Sequence, residues 1–179
     1  HALTVLLAWR RCRISDDYVF ADPGMPAVSL IRPVHGLDEI DQRTLETTFQ
    51  LDYPAYEIII CAEREEDPAV PFVRELMARY PDRAALLLIG TTQTTPNPKL
   101  DNVAKGWRQA RHDWVVMADS NVLMPPDYLQ RLLLGWNRKT GVLCSPPIGS
   151  HPGSFWAEVE CAFLNTYQAR WQYAAASIG

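Results

Sequence analysis

Short apolar runs alternate with segments of helical periodicity along most of this chain, and this alternation limits the folds that it can form. The predicted strands are Val28–Arg32, Glu57–Cys61, Ala84–Ile89, Trp114–Ala118 and Gly141–Ser145. Helical spacing occurs between and after them, in the stretches 38–50, 68–79, 100–111, from 125 onward, and 154–173. Strands that alternate with helices form a mainly parallel sheet flanked by helices. The sequence therefore predicts an α/β fold.

The fourth predicted strand ends at a carboxylate, Asp119, which is followed by Ser120 and Asn121. A strand that carries an acidic residue at its C-terminal end is how an open α/β sheet places charge at a ligand crevice. Carboxylate and amide oxygens are suitable ligands for a hard cation such as Mg²⁺ or Mn²⁺. The same three residues are also ordinary turn formers, so this pattern alone leaves both interpretations open.

Other polar or conformationally restricted residues also follow predicted strands. Pro33 follows the first strand, Asp67 lies in the acidic segment after the second, and Asn97-Pro98-Lys99 precedes the helix after the third. A helix N-terminus attracts anions, and a lysine adds a positive charge for a phosphate. Each residue also has a plainer interpretation: Pro33 as a strand terminator, Asp67 as a helix cap and Lys99 as a solvated loop residue.

Taken together, the order and spacing of these segments resemble ceramide glucosyltransferases and their bacterial relatives, including hopanoid-associated glycosyltransferases. The segments that carry the resemblance are 27–36, 51–61, 65–69, 97–102 and 115–121. The resemblance implies a Rossmann-like fold of the glycosyltransferase A type. It further implies that residues 27–179 are the nucleotide-sugar-binding part of a catalytic domain whose C-terminal part is absent.

The resemblance also implies roles for individual residues. The nucleotide sugar would contact Pro33, Asp67, Lys99, Asp101, Asp119 and Ser120, with Asn102 beside Asp101 near the ribose or the sugar. Asp119 and Asn121 would hold Mg²⁺ or Mn²⁺, although Asn121 replaces the second carboxylate of the Asp-x-Asp signature. No catalytic residue is assigned, because the family's acidic base belongs to a later segment that we expect to lie outside this chain. We therefore expect these 179 residues alone to be inactive or nearly so.

The function implied by the resemblance is inverting, metal-dependent transfer of a hexose, with glucose from UDP-glucose moved to ceramide or a similar lipid. A hopanoid-associated enzyme with an N-acetylhexosamine donor is one alternative, and a non-catalytic nucleotide-binding domain is another. A dinucleotide-binding dehydrogenase is disfavoured because no G-x-G-x-x-G follows the first predicted strand.

Composition and the ends of the chain add further expectations. A formal charge of −4 argues against nucleic-acid binding, and the four widely spaced cysteines do not form a zinc motif. Residues 1–14 are apolar and then arginine-rich, which fits either the end of a membrane anchor or an amphipathic helix, and 15–26 read as a linker. The aromatic residues of 154–173 fit either core packing or a membrane interface. With the family resemblance, we expect a membrane-associated protein whose catalytic domain faces the cytoplasm.

Overall fold

The computed structural model describes residues 1–12, 25–90, 94–136 and 140–175. Its helices and strands follow in the order α1 (Ala2–Cys12), β1 (Val28–Pro33), α2 (Glu39–Phe49), β2 (Tyr56–Ala62), α3 (Ala69–Arg79), β3 (Ala84–Ile89), α4 (Pro98–Gln109), β4 (Trp114–Met117), α5 (Tyr128–Leu134), α6 (Phe155–Phe163), a π-helical turn (Leu164–Gln168) and α7 (Ala169–Ala175). The chain divides into two compact units, one formed by Asp22–Leu133 and the other by His1–Ala21 with Leu134–Gly179.

The larger unit contains a four-stranded sheet in the order β3-β2-β1-β4, with every neighbouring pair parallel. Val28 at the start of β1 is level with Tyr56 of β2 and with Trp114 of β4, so the strands begin together. Every residue of β1 is buried, as expected for a central strand covered on both faces. The predicted α/β fold with a parallel sheet is thus confirmed, and four of the five predicted strands are present.

The fifth predicted strand, Gly141–Ser145, is wrong. This segment has no strand structure, and two of its members, Val142 and Cys144, are exposed. An apolar run becomes a strand only when a neighbouring strand pairs with its backbone, and the segment belongs to the smaller unit rather than to the unit that holds the sheet. Periodicity cannot report whether such a neighbour exists.

Helices cover both faces of the sheet and fix its strands in place. On one face, Leu45 and Phe49 of α2 pack with Val70 and Val73 of α3 over β2. Helix α2 begins at a capping box in which Asp38 and Asp41 exchange side-chain and backbone hydrogen bonds. A second cluster includes Leu30, Leu51, Met124 and Leu129, so the chain after β4 is also tied to the sheet.

Helix α4 approaches the sheet unusually closely because of Gly106. A Cβ atom built at this position would lie 2.7 Å from Cγ2 of Ile31 and 2.9 Å from Sγ of Cys61. Both neighbours are fully buried residues of β1 and β2. The glycine therefore sets how near the helix that begins with Asn97-Pro98-Lys99 lies to the strands.

The smaller unit contains α1 and the helical run from Phe155 to Ala175. This run confirms the helix predicted for 154–173, with a π-helical turn in its middle. Phe155 and Trp156 are 68% and 76% exposed, so core packing does not describe these two side chains. Among the described residues, no helix is long and apolar enough to cross a bilayer. The anchor assigned to 1–14 stays a prediction, and residues 13 and 14 of it, like 15–24 of the predicted linker, fall outside the described residues.

Candidate functional site

A cleft of about 400 Å³ opens at the C-terminal ends of the parallel strands. The chain that follows β1 contributes Pro33, Val34 and His35, and Glu63 follows β2. The start of α4 and the turn after β4 complete the lining with Asn97, Pro98, Lys99, Asn102, Asp119, Ser120 and Asn121. In open α/β sheets ligands bind in the crevice at this edge. Of the predicted nucleotide and metal residues, the structure brings together Pro33, Lys99, Asp119, Ser120 and Asn121.

Lys99 and Asp119 form an ion pair across this cleft. The Lys99 Nζ atom lies 2.7 Å from Oδ1 of Asp119, and the two side chains are 58% and 54% exposed. An exposed pair of this kind contributes only about 0.2 to 1 kcal/mol, because water screens the charges. Both groups can therefore exchange their partner for a ligand at little cost.

The start of α4 differs from a helix terminus that is free to bind an anion. Oδ1 of Asn97 accepts hydrogen bonds from the backbone amides of Lys99 and Leu100, at 3.0 and 3.3 Å. Pro98 has no amide hydrogen to offer. The backbone donors of the first turn are thus already used, so the attraction for a phosphate at this helix comes from the side chain of Lys99.

The turn that carries Asp119 is held by a buried arginine of β1. Arg32 is fully buried, and one of its Nη atoms donates to the backbone oxygens of Ser120 and Val122, at 2.8 and 3.3 Å. The other Nη atom donates to Oγ1 of Thr48, at 3.0 Å. Burial lowers the pKa of Arg32 to about 10, so the guanidinium stays protonated at neutral pH. Arg32 therefore fixes the backbone directly after Asp119.

Arg32 was not predicted to be a site residue, although the sequence around it indicates an unusual role. It is the only charged residue in the run Val28–Pro33, whose other members are apolar or small. A charged residue in a strand that is buried on both faces must be paired or hydrogen-bonded, and its partners commonly belong to a loop at the strand end. The identity of that loop is a tertiary contact that the local sequence does not contain.

Asp67 connects two loops and does not line the cleft. Its carboxylate accepts hydrogen bonds from the backbone amides of Gly36, at 3.0 and 3.1 Å, and of Ala69, at 2.9 Å. The Nδ1 atom of His35 lies 3.8 Å from Oδ2 of Asp67. Gly36 has a φ of 73°, which a glycine adopts without strain. The structure thus gives Asp67 a role at the start of α3 and in the loop after β1, and direct contact with a nucleotide stays a prediction.

Asp101 is likewise directed away from the cleft. Its side chain accepts hydrogen bonds from the hydroxyl of Thr94, at 2.7 Å, and from the backbone amide of Thr95, at 3.0 Å. The hydrogen bond from Thr94, followed by those from Thr95, lowers the pKa of Asp101 below its ordinary value. The next residue, Asn102, lines the cleft instead. The contact predicted between Asp101 and the nucleotide sugar therefore stays untested, while the carboxylate holds the loop before α4.

A second lysine, Lys105, forms hydrogen bonds with the backbone at the ends of two strands beside the cleft. Nζ of Lys105 donates to the backbone oxygens of Ala62 and Gly90, at 2.8 and 2.5 Å. Burial lowers the pKa of Lys105 below its ordinary value. This lysine joins the ends of β2 and β3 to α4 and does not line the cleft.

The residues of the cleft fit a divalent cation only when a ligand supplies further oxygens. No group of three or more His, Cys, Asp or Glu side chains that could hold a metal occurs in the part of the chain that the structure describes. Asp119 and Asn121 both line the cleft and offer a carboxylate and an amide oxygen. Mg²⁺ is commonly held by one or two carboxylates together with substrate phosphates and water. This donor set suits a cation that is shared with a diphosphate.

The chain is similar to known glycosyltransferases. A family model described as "Glycosyl transferase family 21" matches residues 2–179. Ceramide glucosyltransferase of Komagataella phaffii is 36% identical over 120 residues, which cover 65% of this chain and 24% of that protein. Ceramide glucosyltransferase 1 of Caenorhabditis elegans is 32% identical over 152 residues, which cover 83% of this chain and 32% of that protein. The chain thus spans about a quarter to a third of these relatives.

A solved structure shares the fold. The mannosyltransferase PcManGT from Pyrobaculum calidifontis, in complex with GDP-Man and Mn²⁺, superposes with a TM-score of 0.51 at 22% sequence identity. The match covers 70% of this chain and 37% of PcManGT. This likeness confirms the predicted glycosyltransferase A-type fold.

Proposed function

This chain belongs to glycosyl transferase family 21, and from this premise we propose that the protein transfers glucose from UDP-glucose to ceramide or a similar lipid. The observation that carries the proposal is the pairing of Lys99 with Asp119 in a cleft at the C-terminal edge of a parallel sheet. A diphosphate and a divalent cation have opposite charges, and this pair offers a group for each of them. The lipid acceptor and the donor sugar are inferred from the ceramide glucosyltransferases that the chain resembles.

In the proposed complex, the ion pair between Lys99 and Asp119 is broken, and each side chain takes a new partner. The amine of Lys99 turns to the diphosphate of UDP-glucose, and the carboxylate of Asp119, with Asn121 beside it, holds Mg²⁺ or Mn²⁺. A bound cation supplies Lewis-acid stabilisation of the negative charge on the departing UDP. Arg32 keeps the backbone of the Asp119 turn in place during the exchange. Pro33 and Ser120 border the same cleft and complete the donor pocket.

We propose direct displacement with inversion at the anomeric carbon. The hydroxyl oxygen of the acceptor forms the new bond to this carbon, the bond to the β-phosphate oxygen breaks, and UDP leaves with the electron pair. The proton of the acceptor hydroxyl passes to the carboxylate of an acidic residue, which acts as the general base. Because the proposed acceptor is a lipid, we place the reaction at a membrane surface, with the catalytic domain on the cytoplasmic side. The exposed aromatic side chains of α6 support a lipid-facing location for the smaller unit.

A transfer assay tests the proposal. Because we expect residues 1–179 alone to be inactive or nearly so, the full-length protein is produced, and its membranes are given Mn²⁺, a fluorescent ceramide and either UDP-glucose or UDP-N-acetylglucosamine. We expect glucosylceramide from the first donor and its loss in Asp119→Ala. Asp113→Ala is the matched control, because this exposed aspartate immediately precedes β4, at the opposite end of the strand from Asp119. Transfer of N-acetylglucosamine alone, or full activity of Asp119→Ala, would overturn the proposed donor or the proposed site.

A further inference from the structure

Asn102 is a buried polar residue that lines the cleft and has an unused hydrogen-bonding atom in its side chain. Asn102 is only 5% exposed, yet it is one of the residues that line the cleft. Within the part of the chain that the structure describes, its buried Oδ1 atom has no hydrogen-bond partner. Most buried side-chain polar atoms in proteins have a partner, and an unpaired one costs about 1 to 3 kcal/mol. An unpaired oxygen at a ligand cleft is explained if the ligand supplies the donor.

The position of Asn102 is fixed by the helix that carries it. Asn102 follows Lys99 by three residues in α4, so the two side chains lie on one face of the helix, one turn apart. Asn97 caps the start of this helix, and Gly106 lets its middle lie against Ile31. Asp101 is directed elsewhere by Thr94. Asn102 is thus held at a set distance from the group that we assign to the diphosphate.

We propose that Oδ1 of Asn102 accepts a hydrogen bond from a hydroxyl group of the nucleotide sugar and thereby orients the donor. This inference rests on the proposed function. A carbonyl oxygen needs a donor, and the oxygens of a diphosphate are acceptors only. The hydroxyls of the ribose and of the transferred sugar flank the diphosphate on both sides, whereas the imide hydrogen of uracil lies one ribose further away. Hydroxyls are therefore the donors nearest to a diphosphate held by Lys99.

The chemistry of the cleft agrees with a polyol ligand. Glu63 and Asp119, which also line the cleft, are further acceptors. Asn102 adds a neutral acceptor at a buried position, where a carboxylate would repel the diphosphate. Asn102 therefore recognises a hydroxyl group of the nucleotide sugar, and Lys99 recognises the negative charge of its diphosphate.

Calorimetric titration of the purified chain with UDP and with UDP-glucose, both in Mn²⁺, tests this inference. We expect Asn102→Ala to weaken binding about 3- to 10-fold, as for the loss of one neutral hydrogen bond. If both ligands weaken equally, the hydroxyl belongs to the ribose. If only UDP-glucose weakens, it belongs to the transferred sugar. Unchanged affinity for both ligands, in a variant that unfolds at the wild-type temperature, overturns the proposal.

A ligand-side measurement keeps the test independent of how well the variant folds. Deoxy analogues of UDP and of UDP-glucose, each lacking one hydroxyl, are titrated into the wild-type chain. We expect one analogue to bind about 3- to 10-fold more weakly, and the same analogue to lose nothing further in Asn102→Ala. Equal binding of every analogue by the wild type overturns the role of Asn102 and leaves the proposed function intact. A wild-type chain that fails to bind UDP at all overturns the proposed function, and this inference with it.

Discussion

Replacement of Lys99 by methionine is expected to change the affinities for a cation and for UDP in opposite directions. The structure pairs Nζ of Lys99 with Oδ1 of Asp119 at 2.7 Å. In the wild type, a cation that binds without nucleotide must displace this amine. UDP, in contrast, gains the amine as a binding partner. Methionine keeps the length of the side chain and its helix propensity but removes the charge. The cap formed by Asn97 uses the backbone amides of residues 99 and 100 and not the side chain of residue 99, so α4 is kept in this variant.

The two magnitudes follow from the exposure of the pair. A pair that is more than half exposed contributes about 0.2 to 1 kcal/mol, so Mn²⁺ alone should bind about 1.4- to 5-fold more tightly to Lys99→Met. A hydrogen bond between an ammonium and a phosphate is worth about 1.5 to 3 kcal/mol. After subtraction of the pair that must break, about 0.5 to 2.8 kcal/mol remain, so UDP should bind about 2- to 100-fold more weakly.

Electron paramagnetic resonance of free and bound Mn²⁺ gives the first affinity, and calorimetric titration of UDP gives the second. Lys99→Arg is the matched control, since it keeps the charge, and both of its affinities should stay close to the wild type. If Lys99→Met binds Mn²⁺ no better and UDP no worse than the wild type, Lys99 does not exchange Asp119 for a diphosphate. If both affinities fall together, the variant has damaged the cleft and the exchange is refuted as well.

Three further changes test the framework around the cleft. Gly106→Ala should destabilise the chain by about 1 to 2 kcal/mol in urea unfolding, because its Cβ would meet Cγ2 of Ile31 at 2.7 Å, whereas Gly141→Ala, with no atom of the described residues within 4 Å, should stay within about 0.5 kcal/mol; equal effects would contradict the close approach. Arg32→Leu should cost about 2 to 4 kcal/mol and weaken Mn²⁺-dependent binding of UDP, with partial recovery in Arg32→Lys, since the part-buried backbone oxygens of Ser120 and Val122 lose their donor; wild-type binding by Arg32→Leu would refute the positioning role. Burial raises the pKa of Glu57, but hydrogen bonds from Ser29 and Arg111 outweigh this effect and lower the pKa below its ordinary value. This carboxylate therefore contributes stability above its unfolded pKa, and that stability is lost as the pH falls through the lower folded pKa. The free energy of unfolding, measured between about pH 5 and pH 3, should therefore fall less for Glu57→Gln than for the wild type. An equal fall in both proteins would contradict the stabilising role of the Glu57 carboxylate.

The sheet could be predicted from the sequence because its strands are short apolar runs between helical segments. A buried parallel strand leaves this signal in its own residues, as β1 and β2 show. Gly141–Ser145 has a similar composition without a pairing neighbour, so the same signal was misleading there. Local composition predicts that a segment can form a strand, but pairing decides whether it does.

The candidate site was predictable to the extent that its residues stand at strand ends. Lys99 and Asp119 are far apart in sequence, yet topology brings them together, because consecutive parallel strands end at one edge. What the sequence did not contain is the direction of each side chain. Asp101 and Asn102 are neighbours, and only the structure shows that the carboxylate binds Thr94 while the amide lines the cleft. Arg32 escaped prediction for the related reason that its partners in the turn after β4, Ser120 and Val122, lie 88 and 90 residues away.

The most direct test of the candidate site is a calorimetric titration of UDP into the purified chain with and without Mn²⁺, repeated with Asp119→Ala and Asp113→Ala. We expect Mn²⁺ to tighten the binding of UDP in the wild type and in Asp113→Ala, and we expect this gain to disappear in Asp119→Ala. Binding of UDP that does not depend on Mn²⁺, or a gain that persists in Asp119→Ala, would contradict the assignment of the cleft as a site for a cation and a diphosphate.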